Sequence, residues 1–229
     1  MKKMIALALL LCATHVFSQT IGKVANSPDA FVPSGYVVTE KISGDLNGDK
    51  QKDWVYIIKS TDKRQFVENQ FQKIVDRNRR GILIAFAQPG GFTLALENLS
   101  CFSSENEDGG VYMPPELNVS IEKGNLYLHY GHGRYGYWMY NFRYQHGDFQ
   151  LIGYDASDNF GPVTNSDVSV NLITKKARFR QNENADAETD GEERFKTTWK
   201  SFTGAKPILL KRIKDIDDID VLAMLGLRS

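Results

Sequence analysis

Apolar and polar residues alternate along the middle of the chain with the two-residue period of β-strands. Residues 117–121 read LNVSI, which places three apolar side chains on one face of a strand and two polar side chains on the other. The segments LYLHY, YWMYNFRY (residues 137–144) and FQLIGY follow after the short glycine-containing turns KGN, GHGR and HGD. The pattern predicts an antiparallel meander over residues 117–154, with a further strand at residues 168–173.

Shorter apolar runs predict more strands in the N-terminal half. Residues 54–58, WVYII, have the continuous apolar character of a central strand. The turn sequence QPGG separates residues 81–87 from residues 92–97, and this arrangement predicts a hairpin. Residues 66–76 place their apolar side chains near helical spacing, which fits either a helix or an ordered loop.

The C-terminal third gives weaker signals. Residues 181–194 are polar, without apolar periodicity, and predict a mobile loop. Phe195, Trp199 and Phe202 fit a helix face or an edge element, and IDDIDVLAMLGL predicts a short C-terminal helix. We therefore expect an α+β fold that is mainly antiparallel β-sheet, with a β-meander core and a short C-terminal helix.

The first 18 residues have the pattern of a secretory signal peptide. Lys2 and Lys3 form a basic start, an apolar run follows, and Ser18 supplies a small residue for cleavage before Gln19. The apolar run is too short to span a bilayer, and no second segment is long enough to do so. We expect residues 1–18 to be a signal peptide and residues 19–229 to be a single β-rich globular domain, exported to the periplasm or the cell exterior.

Cysteine content and charge limit the remaining possibilities. Cys12 is an alternative lipidation site, although Leu11 occupies the preceding position, where lipidation requires a small residue. Cys101 would then stand alone in the mature chain, which predicts a buried thiol and no internal disulfide. The 28 basic and 28 acidic side chains balance, which argues against nucleic acid or an anionic membrane as the main partner.

The stretch DLNGDKQKDWVYII crowds oxygen-bearing side chains into a short loop before an apolar strand. Asp45, Asn47, Asp49 and Asp53 occupy loop positions one, three, five and nine, and Gln51 offers its backbone carbonyl at position seven. Calcium accepts such flexible oxygen ligands, and its charge would relieve the repulsion among the carboxylates. The alternative is an Asp/Asn/Gly turn that only starts the strand.

Residues 43–58 resemble the integrin-type (FG-GAP, VCBS-like) calcium repeat, in which the loop leads into a β-strand. An EF-hand or a dockerin loop would lead into a helix, and Tyr56 stands where an EF-hand requires a bidentate glutamate. Lys50 occupies the usual glycine position, and a single copy of the motif is present. The resemblance therefore implies a calcium loop and not a whole propeller.

The chain as a whole resembles a group of secreted Bacteroidota-type proteins. The stretches that carry this likeness are SGDLNGD, DRNRRGI, CFSSENEDGGVY, HGRYGYWMYNFRYQ and FQLIGYD. The resemblance implies export and a shared fold, and it implies no particular activity.

The densest aromatic stretch, YLHYGHGRYGYWMYNFRY, is the other candidate for binding. Strand alternation would pack one aromatic face on the core. Arg134, Tyr135 and Tyr137 lie near the glycine-rich turn and could instead form an open platform for sugar rings or peptide side chains.

Two functions fit these features, and the first is an exported binding or structural module that takes an extracytoplasmic glycan or protein. The alternative is a small extracytoplasmic hydrolase of glycans or peptides, with its site at His132, Arg134 and nearby carboxylates. The chain contains no GxSxG motif, no Cys/His signature and no phosphate loop, so the sequence does not identify catalytic residues.

We predict that the exported protein begins near Gln19, because the apolar run and the small residue at Ser18 match a signal-peptidase site. Mass spectrometry of the secreted protein would measure this terminus. A diacylglyceryl group on Cys12 would contradict the prediction.

Overall fold

The computed structural model describes residues 24–107, 114–184, 186–204 and 206–228. The predicted signal peptide and Cys12 lie outside the described residues. Within those residues no helix is long and apolar enough to cross a membrane.

Nearly all the regular structure is strand. In chain order the strands are β1 (Val24–Ala25), β2 (Tyr36–Gly44), β3 (Asp53–Ser60), β4 (Phe66–Glu68), β5 (Ile74–Asp76), β6 (Arg80–Gln88), β7 (Gly91–Phe102), β8 (Glu116–Glu122), β9 (Asn125–Gly131), β10 (Gly136–Gln145), β11 (Asp148–Phe160), β12 (Val163–Asn171), β13 (Lys176–Asn182) and β14 (Phe195–Ser201). Short 3₁₀ turns occupy Pro28–Phe31, Lys63–Gln65, Gly133–Tyr135 and Leu210–Arg212, and helix α1 is Val221–Met224.

The strands form two main antiparallel sheets. The N-terminal sheet has the order β1-β7-β6-β3-β2, and the meander sheet has the order β14-β13-β12-β11-β10-β9-β8. Every strand of the meander sheet pairs with its neighbour in the chain, so the predicted meander is confirmed and continues to Ser201. The hairpin predicted around QPGG is also confirmed, as β6 and β7.

The two sheets share one hydrophobic core. Val55 and Ile57 of the N-terminal sheet and Phe142 of the meander sheet belong to the same buried cluster. Phe86 of β6 contacts Tyr144 of β10 edge to face, with ring centroids 4.7 Å apart. The predicted apolar run of β3 is buried on both faces, because Tyr56 and Ile58 pack into a second, smaller cluster with Leu83.

The C-terminal segment, residues 207–227, completes the shared core without forming a strand layer. Its apolar side chains are buried among both sheets: Ile208, Leu210, Ile213, Ile216, Val221, Leu225 and Leu227. The Asn98 side chain of β7 donates to the carbonyls of Leu210 (2.9 Å) and Ile213 (2.8 Å). The Ile216 amide donates to the Cys101 carbonyl at 2.9 Å. Hydrogen bonds therefore hold this irregular segment against β7.

Cys101 itself is a free, buried thiol, as predicted. Burial raises its pKa to about 12, so it remains protonated at neutral pH and makes a poor nucleophile.

Two sequence expectations need correction. The helix considered for residues 66–76 is instead the hairpin β4–β5. Phe71 and Ile74 are largely exposed, so a helix there would have no apolar face to bury, and the Asn69 side chain accepts the amides of Phe71 and Lys73 to form a turn. The expected C-terminal helix is a single turn, and helical residues make up only 9% of the structure against 54% in strands. The fold is therefore β-rich, and the helical part of the α+β prediction is barely present.

We predict that Asn98→Ala lowers the free energy of unfolding by about 1–3 kcal/mol, because it removes two donors from carbonyls of the C-terminal segment. Chemical denaturation would measure the change. Asn118→Ala is the matched control, since Asn118 is an exposed strand residue and its loss should cost less than about 0.5 kcal/mol. Equal stabilities of the two variants would contradict this account of the segment.

Candidate functional site

The acidic loop connects β2 to β3 and is organised by its own side chains. Asp45 accepts the amides of Gly48 at 2.7 Å and Lys50 at 2.9 Å. Asn47 accepts the amide of Asp49, and Asp49 accepts the amide of Gln51. The loop is therefore a tight turn in which side-chain oxygens accept hydrogen bonds from backbone amides.

Asp53 plays a different part from the other acidic residues of the loop. Its carboxylate is fully buried, and its two oxygens accept the amides of Leu46 (2.8 Å) and Ala87 (3.0 Å). Burial raises the pKa of Asp53, while the two amide donors act in the opposite direction. Asp53 therefore ties the loop to β6 across the N-terminal sheet.

The loop fits a cation only in part. Across the described residues no three His, Cys, Asp or Glu side chains form a group that could hold a metal ion. Asp53 is engaged by two amides, although each of its oxygens keeps a second lone pair. A cation here would therefore depend on Asp45, Asn47 and Asp49 with backbone carbonyls such as that of Gln51. Lys50 adopts a left-handed φ of 66° in the glycine position of the motif, which strains a residue with a Cβ.

The predicted aromatic platform is divided between two surfaces. Arg134 lies over the rings of Tyr135 and Phe160, at 5.8 and 5.7 Å from their centroids. Tyr137 instead stacks on His129, with ring centroids 5.3 Å apart. The sequence did not predict Phe160 as a partner of Arg134. The two residues are far apart in the chain, and the pairing of the strands brings the end of β11 close to Arg134.

Tyr137 belongs to the outer face of the meander sheet. The opposite face of β10 carries Tyr140 and Phe142 into the shared core, so alternation turns Tyr137 outward. Gly136 allows β10 to start close to β11, since a Cβ at this position would lie only 1.9 Å from the Ser157 carbonyl oxygen. The close approach brings Tyr137 into register with Ser157.

Cross-strand register extends this outer face over four more strands. One row of directly paired residues is Tyr137, Ser157, Asp167, Arg180 and Thr197, and the neighbouring row is Met139, Asp155, Ser169, Arg178 and Trp199. We call the surface formed by these two rows the outer row surface. Exposed aromatic side chains thus stand at both ends of a band of polar side chains.

An ion-pair group fixes the centre of the outer row surface. The Asp167 side chain is only 9% exposed and bonds to Arg180 through the guanidinium Nε at 2.6 Å. Arg178 approaches the other carboxylate oxygen at 3.4 Å. Because Asp167 is nearly buried, both guanidinium groups are held in place and lose less freedom when a ligand binds.

A depression of about 380 Å³ lies beside Trp199 at one end of the outer row surface. Its lining comprises Ser169, Asn171, Thr174, Lys176, Arg178 and Trp199. Trp199 is 64% exposed, and the buried Nε of Arg178 has no hydrogen-bond partner among the described residues. The only charged side chains of this lining are therefore cations. The alternation of β13 signals that Lys176 and Arg178 share a face, but which face is outward depends on the sheet pairing.

The site considered for a hydrolase is a second groove, of about 390 Å³, next to the start of β10. His132, Arg134, Tyr135 and Glu116 contribute to its lining. His132 contacts the rings of Tyr135 and Trp138. Among the described residues, no hydrogen bond or ion pair links His132 to a carboxylate that could orient it as a general base.

Comparisons of the chain with protein-family models, with curated proteins and with solved structures gave no match. The resemblance of residues 43–58 to the integrin-type repeat thus stays a prediction, and function has to be inferred from the geometry of the sites.

We predict that Asp53→Asn lowers the free energy of unfolding at neutral pH by about 1–3 kcal/mol in the presence of a chelator. The variant places an amide NH₂ opposite a backbone N–H, and one buried donor loses its acceptor. Asp218→Asn, an exposed change in the C-terminal segment, is the control and should have little effect.

The stability difference between the wild type and Asp53→Asn should depend on pH. Folding raises the pKa of Asp53 above its ordinary value of 3.8. Below pH 3.8 the carboxyl is protonated in both states and its contribution to stability is fully present. That contribution is lost as the pH rises through the higher pKa of the folded state. The difference in unfolding free energy between wild type and Asp53→Asn should therefore shrink as the pH rises. A difference that is constant or grows with pH would count against a buried, destabilised charge.

Proposed function

We propose that the protein is an exported binding module that holds an acidic glycan on the outer row surface. The observation that carries this proposal is the depression beside Trp199, in which an exposed indole stands next to Lys176 and Arg178 with no carboxylate in the described lining. Aromatic rings stack on the apolar faces of sugars, and guanidinium and ammonium groups bind carboxylates.

The polar side chains around the indole suit a hydroxyl-rich ligand. Ser169, Asn171 and Thr174 offer both donors and acceptors to sugar hydroxyls. Although Asp167 approaches one terminal nitrogen of Arg178, the Nε has no acceptor among the described residues. This free donor supports binding of a carboxylate.

The dimensions of the surface favour an extended ligand. Tyr137 on β10 and Trp199 on β14 are separated by four strand spacings, or roughly 19 Å. Ser157, Asp167 and Arg180 lie in the row that begins at Tyr137. A chain of sugar rings laid across the strands would meet an aromatic ring near each end and polar groups between.

We also propose that the acidic loop holds a calcium ion with a structural role. Asp45, Asn47, Asp49 and the Gln51 carbonyl would supply most of the oxygen ligands expected from the spacing of the motif. Asp53 would add a lone pair that its two amide donors leave free. Calcium prefers such ligands and would neutralise carboxylates that stand close together. The loop joins β2 to β3 on the N-terminal sheet, so the ion would stabilise the fold without taking part in glycan binding.

We predict that calcium raises the melting temperature of the wild-type protein. Binding to the folded state alone adds about 2.7 kcal/mol of stability at a free concentration one hundred times the dissociation constant. Asp49→Asn should lose most of this gain, because it removes a charged ligand and keeps the size of the side chain. Asp218→Asn should keep it.

Thermal melts of the three proteins with millimolar calcium and with a chelator would measure this gain. If the wild-type protein melts at one temperature under both conditions, the loop is only a turn.

We predict that polygalacturonate or alginate binds the protein and that neutral laminarin does not. Trp199→Ala and Lys176→Gln should each weaken binding by about tenfold, equivalent to about 1.4 kcal/mol, because each removes a central contact. Isothermal titration calorimetry and affinity gel electrophoresis would measure the change.

Two control variants remove similar side chains elsewhere. Phe71→Ala deletes an exposed aromatic residue of the β4–β5 turn, and Lys63→Gln deletes an exposed cation. Both should bind uronate polymers like the wild type. The proposal fails if no uronate polymer binds, if laminarin binds equally well, or if the control variants lose as much affinity as Trp199→Ala.

A further inference from the structure

A third concavity, of about 430 Å³, lies on the inward side of the meander sheet, where the C-terminal segment leaves the shared core. Four aromatic residues of β9, β10 and β11 contribute to its lining: Tyr130, Trp138, Tyr140 and Tyr154. Glu107 and Asp217 also line it, and no basic side chain of the described residues does. This aromatic cleft lies on the face of the sheet opposite to the outer row surface.

The Tyr130 hydroxyl is the feature of the aromatic cleft that most clearly indicates a ligand. The side chain is 1% exposed, and its hydroxyl oxygen is buried without a hydrogen-bond partner in the described part of the chain. Tyr140, its neighbour in the lining, instead donates its hydroxyl to the Ile216 carbonyl at 3.2 Å. A buried hydroxyl that makes no hydrogen bond costs free energy, so a partner supplied from the cleft would be favoured.

The charges around the cleft favour a cation as that partner. Asp217 has no ion-pair partner among the described residues, because the nearby arginines are engaged elsewhere: Arg79 pairs with Asp215 at 2.7 Å, and Arg80 donates to the Ser103 carbonyl at 3.0 Å. Although much of Asp217 is exposed, burial around its carboxylate raises its pKa, while a hydrogen bond from the Ser103 side chain acts in the opposite direction. A partly desolvated carboxylate that has no cationic partner gains from a positive ligand.

The aromatic rings add a second reason for a cation. Trp138 stacks on Tyr130 with nearly parallel planes and centroids 5.4 Å apart, and Tyr154 contacts Tyr140 at 5.3 Å. Clustered aromatic faces attract ammonium groups through their quadrupoles, most strongly where water is excluded.

We propose that the aromatic cleft binds a primary ammonium group on an apolar stem, as found in a lysine side chain or a free alkylamine. Such a group has three N–H donors. The acceptors for them in the cleft are the Asp217 carboxylate, the Tyr130 hydroxyl oxygen and the hydroxyl oxygens of Ser103 and Ser104. The stem would lie along Trp138 and Tyr154. This site is separate from the proposed glycan surface, and its test does not depend on the outcome there.

The experiment titrates the full mature chain with two ammonium probes and their neutral partners. The probes are n-butylammonium, compared with n-butanol, and Nα-acetyl-lysine N-methylamide, compared with its Nε-acetylated form. The first pair represents a free amine and the second a lysine within a peptide. Calorimetry gives the affinities, and the three indole N–H signals in NMR spectra report whether Trp138 is the tryptophan affected.

Two conservative variants test the named contacts, and each should weaken ammonium binding by about tenfold. Asp217→Asn removes the charge, and Tyr130→Phe removes only the hydroxyl. Asp218→Asn, next in the chain and exposed, should bind like the wild type. Tyr130→Phe keeps the ring in the core, so the variant should fold and its binding can be measured.

The inference is overturned if neither ammonium probe binds below about 10 mM, a free energy of less than about 3 kcal/mol. It is also overturned if the neutral partners bind as well as the cations, or if Tyr130→Phe and Asp217→Asn both keep wild-type affinity. Binding of the lysine probe alone would assign the cleft to peptides, and binding of butylammonium alone would assign it to free amines; either result supports the ammonium site.

Discussion

The alternation of side chains across the meander sheet is the constraint on which the rest of the structure depends. Because successive residues of a strand point to opposite faces, burying Tyr140 and Phe142 in the shared core turns Tyr137 and Met139 outward. The same rule, carried across the register, sets Arg178 and Trp199 on the outer face. One packing requirement thus produces both the core and the outer row surface. Binding of a ligand to that surface would therefore need no conformational change.

The shared core also depends on a segment whose regular structure is limited to one 3₁₀ turn and the short helix α1. Residues 207–227 bury apolar side chains against both sheets, and their backbone groups bond to Asn98, Cys101 and Tyr140. Where this segment leaves the core, Asp217 and Ile219 form one wall of the aromatic cleft. The same segment thus contributes both to the shared core and to the lining of the cleft.

The acidic loop shows how one motif can carry two separate tasks. Asp45, Asn47 and Asp49 cap amides within the turn, while Asp53 bonds across the sheet to Ala87. A buried carboxylate is costly unless it is hydrogen-bonded, and the two amides provide that compensation. The loop is thus stabilised by its own hydrogen bonds, and the proposed calcium would add to an already ordered turn.

The sequence by itself determined the elements that depend on local pattern. Two-residue alternation predicted the meander, QPGG predicted the β6–β7 hairpin, and the short glycine turns predicted antiparallel neighbours. The apolar spacing at residues 66–76 was misleading, because periodicity does not reveal whether a surface exists to bury Phe71 and Ile74. Of the candidate sites, the acidic loop could be predicted from the sequence because its residues are close together in the chain.

Only the tertiary structure decided which residues meet at long range. It separated Tyr137 from Arg134 and Tyr135, brought Phe160 to Arg134, and placed Lys176 and Arg178 beside Trp199. It also brought Tyr130 together with Asp217, although they lie 87 positions apart in the sequence. Strand register and sheet packing fix such neighbours, and both arise from burying the whole set of apolar side chains at once, which no local stretch of sequence encodes.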